Sequence, residues 1–541
     1  MNMRIKDRAG LLVLLTVVGM ILFYNLSGWG VTETSEARYA EIAREMYRSG
    51  DYMHPRLLGI GHYHKPPLTY WITAISYHIF GVSAFAARFF LQCAVLLQAM
   101  LVYAIGMELL GQKRTALLAA ITYLSCPAVI MAARALTTDA YLATFIMVAI
   151  YGWIRYRKGS GVIWLYLFYL FLGVGFMTKG PVVFIVPLVV VIFYNRMVYK
   201  EASALFHHFA GGLLFLMVGF TWFFLLYLKD ARFLDYFVFD HTVRRFATDT
   251  FRRSKPFFFY LWVVPLTSFP WMIIILKPLF RKIRNNSGTA GVLAAWVFIP
   301  LLFFSLSRSK LILYVLPVYP GIALAATNYW AFTDNGKRNL WLKISVVFQL
   351  LAIAFLFLMP HIQPAFNFSM PMFILLCIYF GAVVFFVLSP FSGNYYSVPV
   401  LSLAFTLFLT VYSSHFLGDN AAKVKDLRSV AHYINQLPNA DRVMVYNRLL
   451  PSLAFHLDKV VVSLNDGSRH LKRETQFETT QHWKKNLMDV KTERDAIQQI
   501  VSEGSVLVVR EGQVFSPQAQ WLEYSFQRSV VVDGWRLYYT L

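Results

Sequence analysis

Acidic residues are scarce in this chain. It has 28 Asp and Glu among 541 residues, against 50 Lys and Arg, which gives a formal net charge of +22. Charge of either sign is thin, at 14% of residues, where soluble domains carry nearer a quarter. With 58% apolar residues and a mean hydropathy of +0.53, the chain falls outside the soluble globular class. Cysteine is nearly absent: Cys93, Cys126 and Cys377 all lie in apolar runs, which leaves no disulfide framework and no cysteine-built metal site. No internal repeat or low-complexity stretch is evident. No small-residue cleavage site precedes Glu33, so the first apolar run is expected to be an uncleaved anchor. Nucleic acid is not an expected partner, because basic cytoplasmic loops account for much of the positive excess in a membrane protein.

Apolar runs are what the chain has in abundance. Segments long enough to span lie at 11–29, 85–110, 114–133, 138–154, 162–178, 180–195, 208–228, 257–277, 289–306, 311–332, 340–359, 369–389 and 395–416. They predict about 13 transmembrane helices. Basic residues fall in alternate loops: Lys113 and Arg114, then Arg155, Arg157 and Lys158, then Arg196 and Lys200, then Lys277 to Arg284, then Lys337 and Arg338. These loops are expected inside, which puts the C-terminus outside. Beyond residue 418 the composition changes. RVMVYN (442–447), KVVVSL (459–464), SVLVVR (505–510) and WRLYYTL (535–541) predict strands, and 424–437 and 492–504 predict helices. The expected fold is a polytopic α-helical membrane protein with a small C-terminal α/β domain. Its expected parts are a membrane domain over 1–417, which includes a first outward loop at 30–84, and a soluble domain over 418–541.

Polar chemistry gathers in the outward loops. Thr32–Tyr70 holds Glu33 and Glu36, three apart and therefore on one side of a helical turn starting after Thr34 or Ser35. One of these carboxylates is a candidate general base or metal ligand, and Arg38 and Tyr39 beside them are candidates for binding phosphate. The competing reading is an amphipathic interfacial helix with solvated charges. His62 and His64 alternate as metal ligands on an extended strand would, so His64 and Glu36 are candidates for a divalent metal; a solvated loop is the alternative. Lys65, before Pro66 and Pro67, is placed for phosphate. Asp139 begins a span, either as an acid or as a partner of the helix dipole. Lys179 sits at a corner with Gly180 and Pro181, either snorkelling or holding a lipid phosphate. His241, Arg244 and Arg245 lie in an Arg- and aromatic-rich loop suited to pyrophosphate, or to an interfacial belt. Lys310 and Tyr314 stand at the outward start of another span. Basic residues on outward loops are not required by topology; an anionic ligand would call for them.

Taken together, EARYAEIAREM (36–46), GDYMHPRLLG (50–59), KPPLTYW (65–71), MTKG (177–180), FDHTVRRFATD (239–249), PFFFY (256–260), SFPW (268–271) and FFSLSRSKLILYVLPVYP (303–320) resemble a known family. They are similar, in order, to motifs of the aminoarabinose lipid A transferases and the protein O-mannosyltransferases. These are GT-C class glycosyltransferases that use polyprenyl-phosphate sugars. The resemblance implies a bacterial inner-membrane enzyme with a periplasmic active site, an undecaprenyl-phosphate sugar donor and inverting transfer to a lipid A-type, other envelope or protein acceptor. It implies that Glu36 and Asp139 line the cavity and that Lys65, Arg244 or Arg245, Lys310 and Tyr314 hold the carrier phosphate. Two positions depart from the pattern: Ser35-Glu36 stands where the family usually has Asp-Glu, and His64 where it often has Glu. Glu33 or Glu36 then takes the place of the missing aspartate, or the acceptor needs no strong base. A transporter of lipid-linked sugars is the reading from another class; it would show inverted repeats and mid-span breaks in corresponding halves, which the sequence lacks.

Overall fold

The computed structural model describes residues 5–198, 205–237, 255–284, 288–390, 392–438, 440–467, 475, 478 and 481–540. They form two units by contact, one of Met1–Asn25 with Arg88–Phe416 and one of Leu26–Ala87 with Leu417–Leu541.

The named elements of the first unit are all helices, and the chain is a multi-pass membrane protein. Eight helices among the described residues are long and apolar enough to cross a membrane. Two bent pairs, Lys113–Leu124 with Pro127–Arg134 and Phe259–Thr267 with Trp271–Leu279, raise the number to ten. Each of the expected runs is helical, yet about 13 separate spans are not found, for three physical reasons. Helix Ile5–Phe23 opens on Lys6, Asp7 and Arg8, which leaves only Ala9–Phe23 as its apolar part. Thr138–Arg157 carries Asp139 in its first turn and Arg155 and Arg157 in its last. The runs expected at 162–178 and 180–195 make one 35-residue stretch, Ile163–Met197, interrupted by a 3-10 turn at Gly180–Phe184.

The first bent pair turns by 59° around Pro127, which has no N–H to continue the ladder. Neighbouring helices satisfy the interrupted backbone: Thr406 donates to the Ser125 carbonyl at 2.7 Å, and the Trp271 indole donates to the Ser125 hydroxyl at 2.7 Å. Thr138–Arg157 packs on Ile163–Lys179, and that helix on Leu205–Lys229. Glycine permits the first contact, since a Cβ on Gly152 would stand 2.9 Å from the Trp164 carbonyl oxygen.

The second unit holds a six-stranded sheet. Its strands are β3 (Arg442–Tyr446), β4 (Val462–Asn465), β5 (Leu487–Asp489), β6 (Ser505–Arg510), β7 (Arg528–Val532) and β8 (Trp535–Tyr539), in the order β5-β4-β3-β6-β8-β7. β5, β4, β3 and β6 run parallel, and β8 and β7 are antiparallel additions. Helix Arg494–Ser502 brings Ile497, Ile500 and Val501 onto Met444, Leu464 and Leu507 of the sheet. Residues 26–87 contribute helices Ser35–Ser49 and Leu68–Phe80 and a two-stranded hairpin, β1 (Arg56–Leu57) with β2 (Ile60–Gly61). The first outward loop was expected within the membrane domain; by contact it groups instead with the chain beyond residue 417. The reason is an ion network: Arg44 on Ser35–Ser49 takes Glu41 in a two-pronged pair at 2.7 Å and reaches Asp458 at 2.9 Å.

Candidate functional site

In the membrane unit three sequence candidates come together. Asp139 opens helix Thr138–Arg157, with its N–H capped by the Thr137 hydroxyl. Lys179 ends helix Ile163–Lys179, and the chain leaves it through Gly180 at a φ of +73°. The Lys179 ammonium donates to Oδ1 of Asp139 and stands 4.2 Å from the centroid of the Tyr314 ring. Both side chains are largely buried, at 12% and 9% exposure. Oδ2 of Asp139 has no protein partner among the described residues. Tyr260, whose hydroxyl donates to the Leu311 carbonyl at 2.9 Å, lies within electrostatic reach of Asp139 and Tyr314. The result is a carboxylate kept in place by one cation, with its second oxygen open.

Lys310 is set differently. It is 3% exposed, and its ammonium donates to the Ser307 and Lys255 carbonyls, the latter at 3.0 Å. Burial lowers its affinity for the proton. Arg134 donates to the carbonyls of Tyr24 and Ile21 at 2.9 and 3.0 Å. It caps the end of helix Ile5–Phe23, as a cation at a helix C-terminus does. His241, Arg244 and Arg245 lie outside the described residues.

In the second unit the helix expected after Thr34 begins at Ser35. Glu36 is buried, and its Oε2 accepts from the Thr32 N–H at 3.1 Å and the Thr32 hydroxyl at 3.0 Å. Oε1 of Glu33 accepts from the Ser452 N–H at 2.6 Å. Burial pushes the Glu33 carboxyl up to about 7, against the opposing Ser452 N–H and the charges of Arg38 and Lys425. Arg38 is half-buried, with its Nε unpartnered. The Tyr39 ring lies 5.5 Å from that of Tyr70. His62 and His64 are both buried, with ring centroids 4.0 Å apart, and Lys65 is half-buried beside them. Among the described residues no three His, Cys, Asp or Glu side chains meet in a metal-holding group, so His64 and Glu36 do not complete a protein-built metal site there.

Sequence reasoning did not identify the role of Glu41, Arg44 and Glu45, which dominate the electrostatics of this unit. Burial pushes the Glu41 carboxyl up to about 8, with Arg44 opposing. The Arg44 guanidinium is itself desolvated, but Glu41, Glu45 and Asp458 more than offset this and raise it. Glu45 accepts the Gly59 N–H at 3.0 Å and so holds the hairpin. The i, i+3 and i, i+4 spacing of these residues was the available signal.

Residues 9–237 match the family model described as dolichyl-phosphate-mannose-protein mannosyltransferase. The chain is similar to undecaprenyl phosphate-alpha-4-amino-4-deoxy-L-arabinose arabinosyl transferase 1 of Sodalis glossinidius, 34% identical over 331 residues, 59% of each chain. It is also similar to the undecaprenyl phosphate-alpha-4-amino-4-deoxy-L-arabinose arabinosyl transferase of Aeromonas hydrophila, 33% identical over 322 residues, 57% of this chain and 58% of that one. The chain thus spans under two thirds of the length of these curated relatives. Its fold is that of the crystal structure of ArnT from Cupriavidus metallidurans bound to undecaprenyl phosphate, with a TM-score of 0.80, 21% identity and 98% of each chain covered.

Proposed function

We propose that the chain is a membrane glycosyltransferase of the GT-C class, akin to the mannosyltransferase family model and the aminoarabinose transferases that it is similar to. Its donor is an undecaprenyl-phosphate sugar and its acceptor a lipid A-type or other envelope molecule. It sits in the inner membrane with the reacting groups and the C-terminal unit on the periplasmic side. The curated relatives named for undecaprenyl phosphate-linked aminoarabinose support the donor. The observation that carries the reading is the Asp139 carboxylate, buried and ion-paired through one oxygen only.

The chemistry follows from that geometry. An acceptor oxygen attacks the anomeric carbon, the bond from that carbon to the carrier phosphate breaks, and undecaprenyl phosphate leaves. Asp139 takes the acceptor proton on its open oxygen; an acceptor phosphate that is already ionised needs no such base. Lys179 holds Asp139 in place through Oδ1, and the Tyr314 ring stabilises the ammonium. Glu36 and Glu33 are the secondary acid candidates. The leaving phosphate gathers charge and needs cations. Lys310 has used two of its three N–H donors on carbonyls and has one left for an anion. Lys65, Arg38 and Tyr39 of the second unit, and separately His241, Arg244 and Arg245, are the other proposed candidates for the carrier phosphate.

Purified protein supplied with radiolabelled undecaprenyl-phosphate aminoarabinose and crude envelope lipids is expected to move label into a lipid fraction and release undecaprenyl phosphate. Label in protein would make the acceptor a polypeptide. Label that stays on the carrier under all acceptors would contradict the proposal.

A further inference from the structure

The second unit carries a feature that the transfer reaction does not use. In an open parallel sheet, ligands bind outside the carboxyl ends of the strands, where the direction of the crossovers reverses. Here β4 lies on one side of β3 and β6 on the other, so the reversal falls between β3 and β6. Both strands end in arginine or run into it. Arg448 follows β3 by two residues, and Arg510 is the last residue of β6.

Strands β3 and β6 are paired neighbours, with Val445 opposite Val508, so both arginines leave the sheet at the same edge; Arg448 is half-buried, and burial and the Arg510 charge lower its hold on the proton. No described carboxylate pairs with either. Arg448 Nε donates to the Gln513 amide oxygen at 3.4 Å, and Arg510 is exposed and without a side-chain partner. Two cations held together without an anion point to an anionic ligand, because like charges side by side are costly until neutralised.

A second observation at the same edge is independent of charge. Asn465 ends β4, is 4% exposed, and gives its NH₂ to Asp489 at 3.0 Å. That donation fixes the amide orientation, since a carboxylate accepts. Its Oδ1 is buried and has no donor among the described residues, and so is the Ser516 hydroxyl. Asn447, in the left-handed region at a φ of +51°, lies between this amide and Arg510, its N–H on the Leu464 carbonyl at 2.7 Å. The edge therefore presents unmatched cations beside an unmatched acceptor. A ligand satisfying both carries a negative group and a hydroxyl.

We propose that the carboxyl edge of this sheet, at Arg448, Arg510 and Asn465, binds a phosphorylated carbohydrate. The guanidiniums take the phosphoryl oxygens and the Asn465 carbonyl accepts a sugar hydroxyl. The same chemistry is presented by a free sugar phosphate and by the phosphorylated sugar of a glycolipid, and it is independent of the donor site.

The test uses the full chain in phosphatidylcholine nanodiscs, without donor, so that its outcome does not depend on turnover. Glucose 1-phosphate is the soluble probe, and phosphatidylcholine vesicles containing lipid A are the membrane probe. Arg510→Gln, exposed and unpartnered, is expected to keep the melting temperature and weaken binding about tenfold. Arg448→Gln with Arg510→Gln should abolish it. Asn465→Ala should weaken glucose 1-phosphate while leaving inorganic phosphate unchanged. Arginine-dependent binding of glucose 1-phosphate identifies a soluble ligand; arginine-dependent binding of the lipid A vesicles alone identifies a glycolipid. Binding in neither arm, or binding that Arg510→Gln and the double variant leave unchanged, overturns the proposal.

Discussion

Two buried ion pairs, one in each unit, look alike in a list of charges and differ in what they leave open. Glu41 and Arg44 meet through two hydrogen bonds at 2.7 Å, and Arg44 also reaches Asp458, so the pair is used up in holding helix Ser35–Ser49 to the tail. Asp139 meets Lys179 through one oxygen and keeps the other without a partner among the described residues, with an aromatic ring beneath the cation. A saturated pair is architecture. A carboxylate with one oxygen open can still take a proton or a ligand hydroxyl, which a saturated pair cannot.

The comparison can be broken most sharply at Asp139. Asp139→Asn is expected to lower transfer by about two to four orders of magnitude with an unchanged melting temperature; steady-state transfer beside a thermal melt reads both. Glu41→Ala should do the reverse. It strands Arg44, and breaking a buried pair costs about 3–5 kcal/mol, so unfolding should come much earlier while turnover per folded molecule stays within a few-fold. Tyr314→Leu removes the ring under Lys179. A loss of about 0.5–2 kcal/mol corresponds to a drop in turnover of roughly two- to thirtyfold, which Tyr314→Phe should largely restore.

The smallest effect concerns Glu33. Its carboxyl rises from the ordinary 4.5 to about 7 in the folded protein, so the folded state binds more protons than the unfolded one across that window. Stability is therefore highest below about 4.5 and falls as pH climbs to about 7. Glu33→Gln keeps an acceptor for the Ser452 N–H and should flatten that fall, with melting temperatures higher than the parent's at pH 8 and closer to it at pH 5. A melting curve series across pH measures it.

Much of the fold was legible because its signals are local. The apolar runs became helices, and β3, β4, β6 and β8 fall where the alternating segments predicted strands. The two strands of the six-stranded sheet that were not anticipated, Leu487–Asp489 and Arg528–Val532, are its outer strands. One is three residues long and the other mostly exposed, so neither needed a strong apolar pattern. The spans that did not separate, as at Gly180–Phe184, depend on turns that hydropathy does not register.

The candidate site was legible as residue types and not as pairings. Asp139 and Lys179 were each singled out, but their contact joins two helices across 40 residues, and neither spacing nor composition encodes it. Glu33 looked like a base; its carboxylate is engaged by Ser452, 419 residues on. Arg134 serves the end of the first helix, through carbonyls 110 and 113 residues away. In each case the partner is a backbone group or a distant side chain that no local pattern announces.

The most direct test replaces each ion pair as a whole by apolar residues, which preserves burial and removes the cost of a stranded charge. Glu41→Met with Arg44→Leu, and Asp139→Leu with Lys179→Met, are compared for transfer from radiolabelled undecaprenyl-phosphate aminoarabinose in folded, membrane-inserted protein. The account predicts that the first protein still transfers sugar and the second, equally folded, does not. Sugar transfer at the parental rate by the protein lacking Asp139 and Lys179 would contradict it.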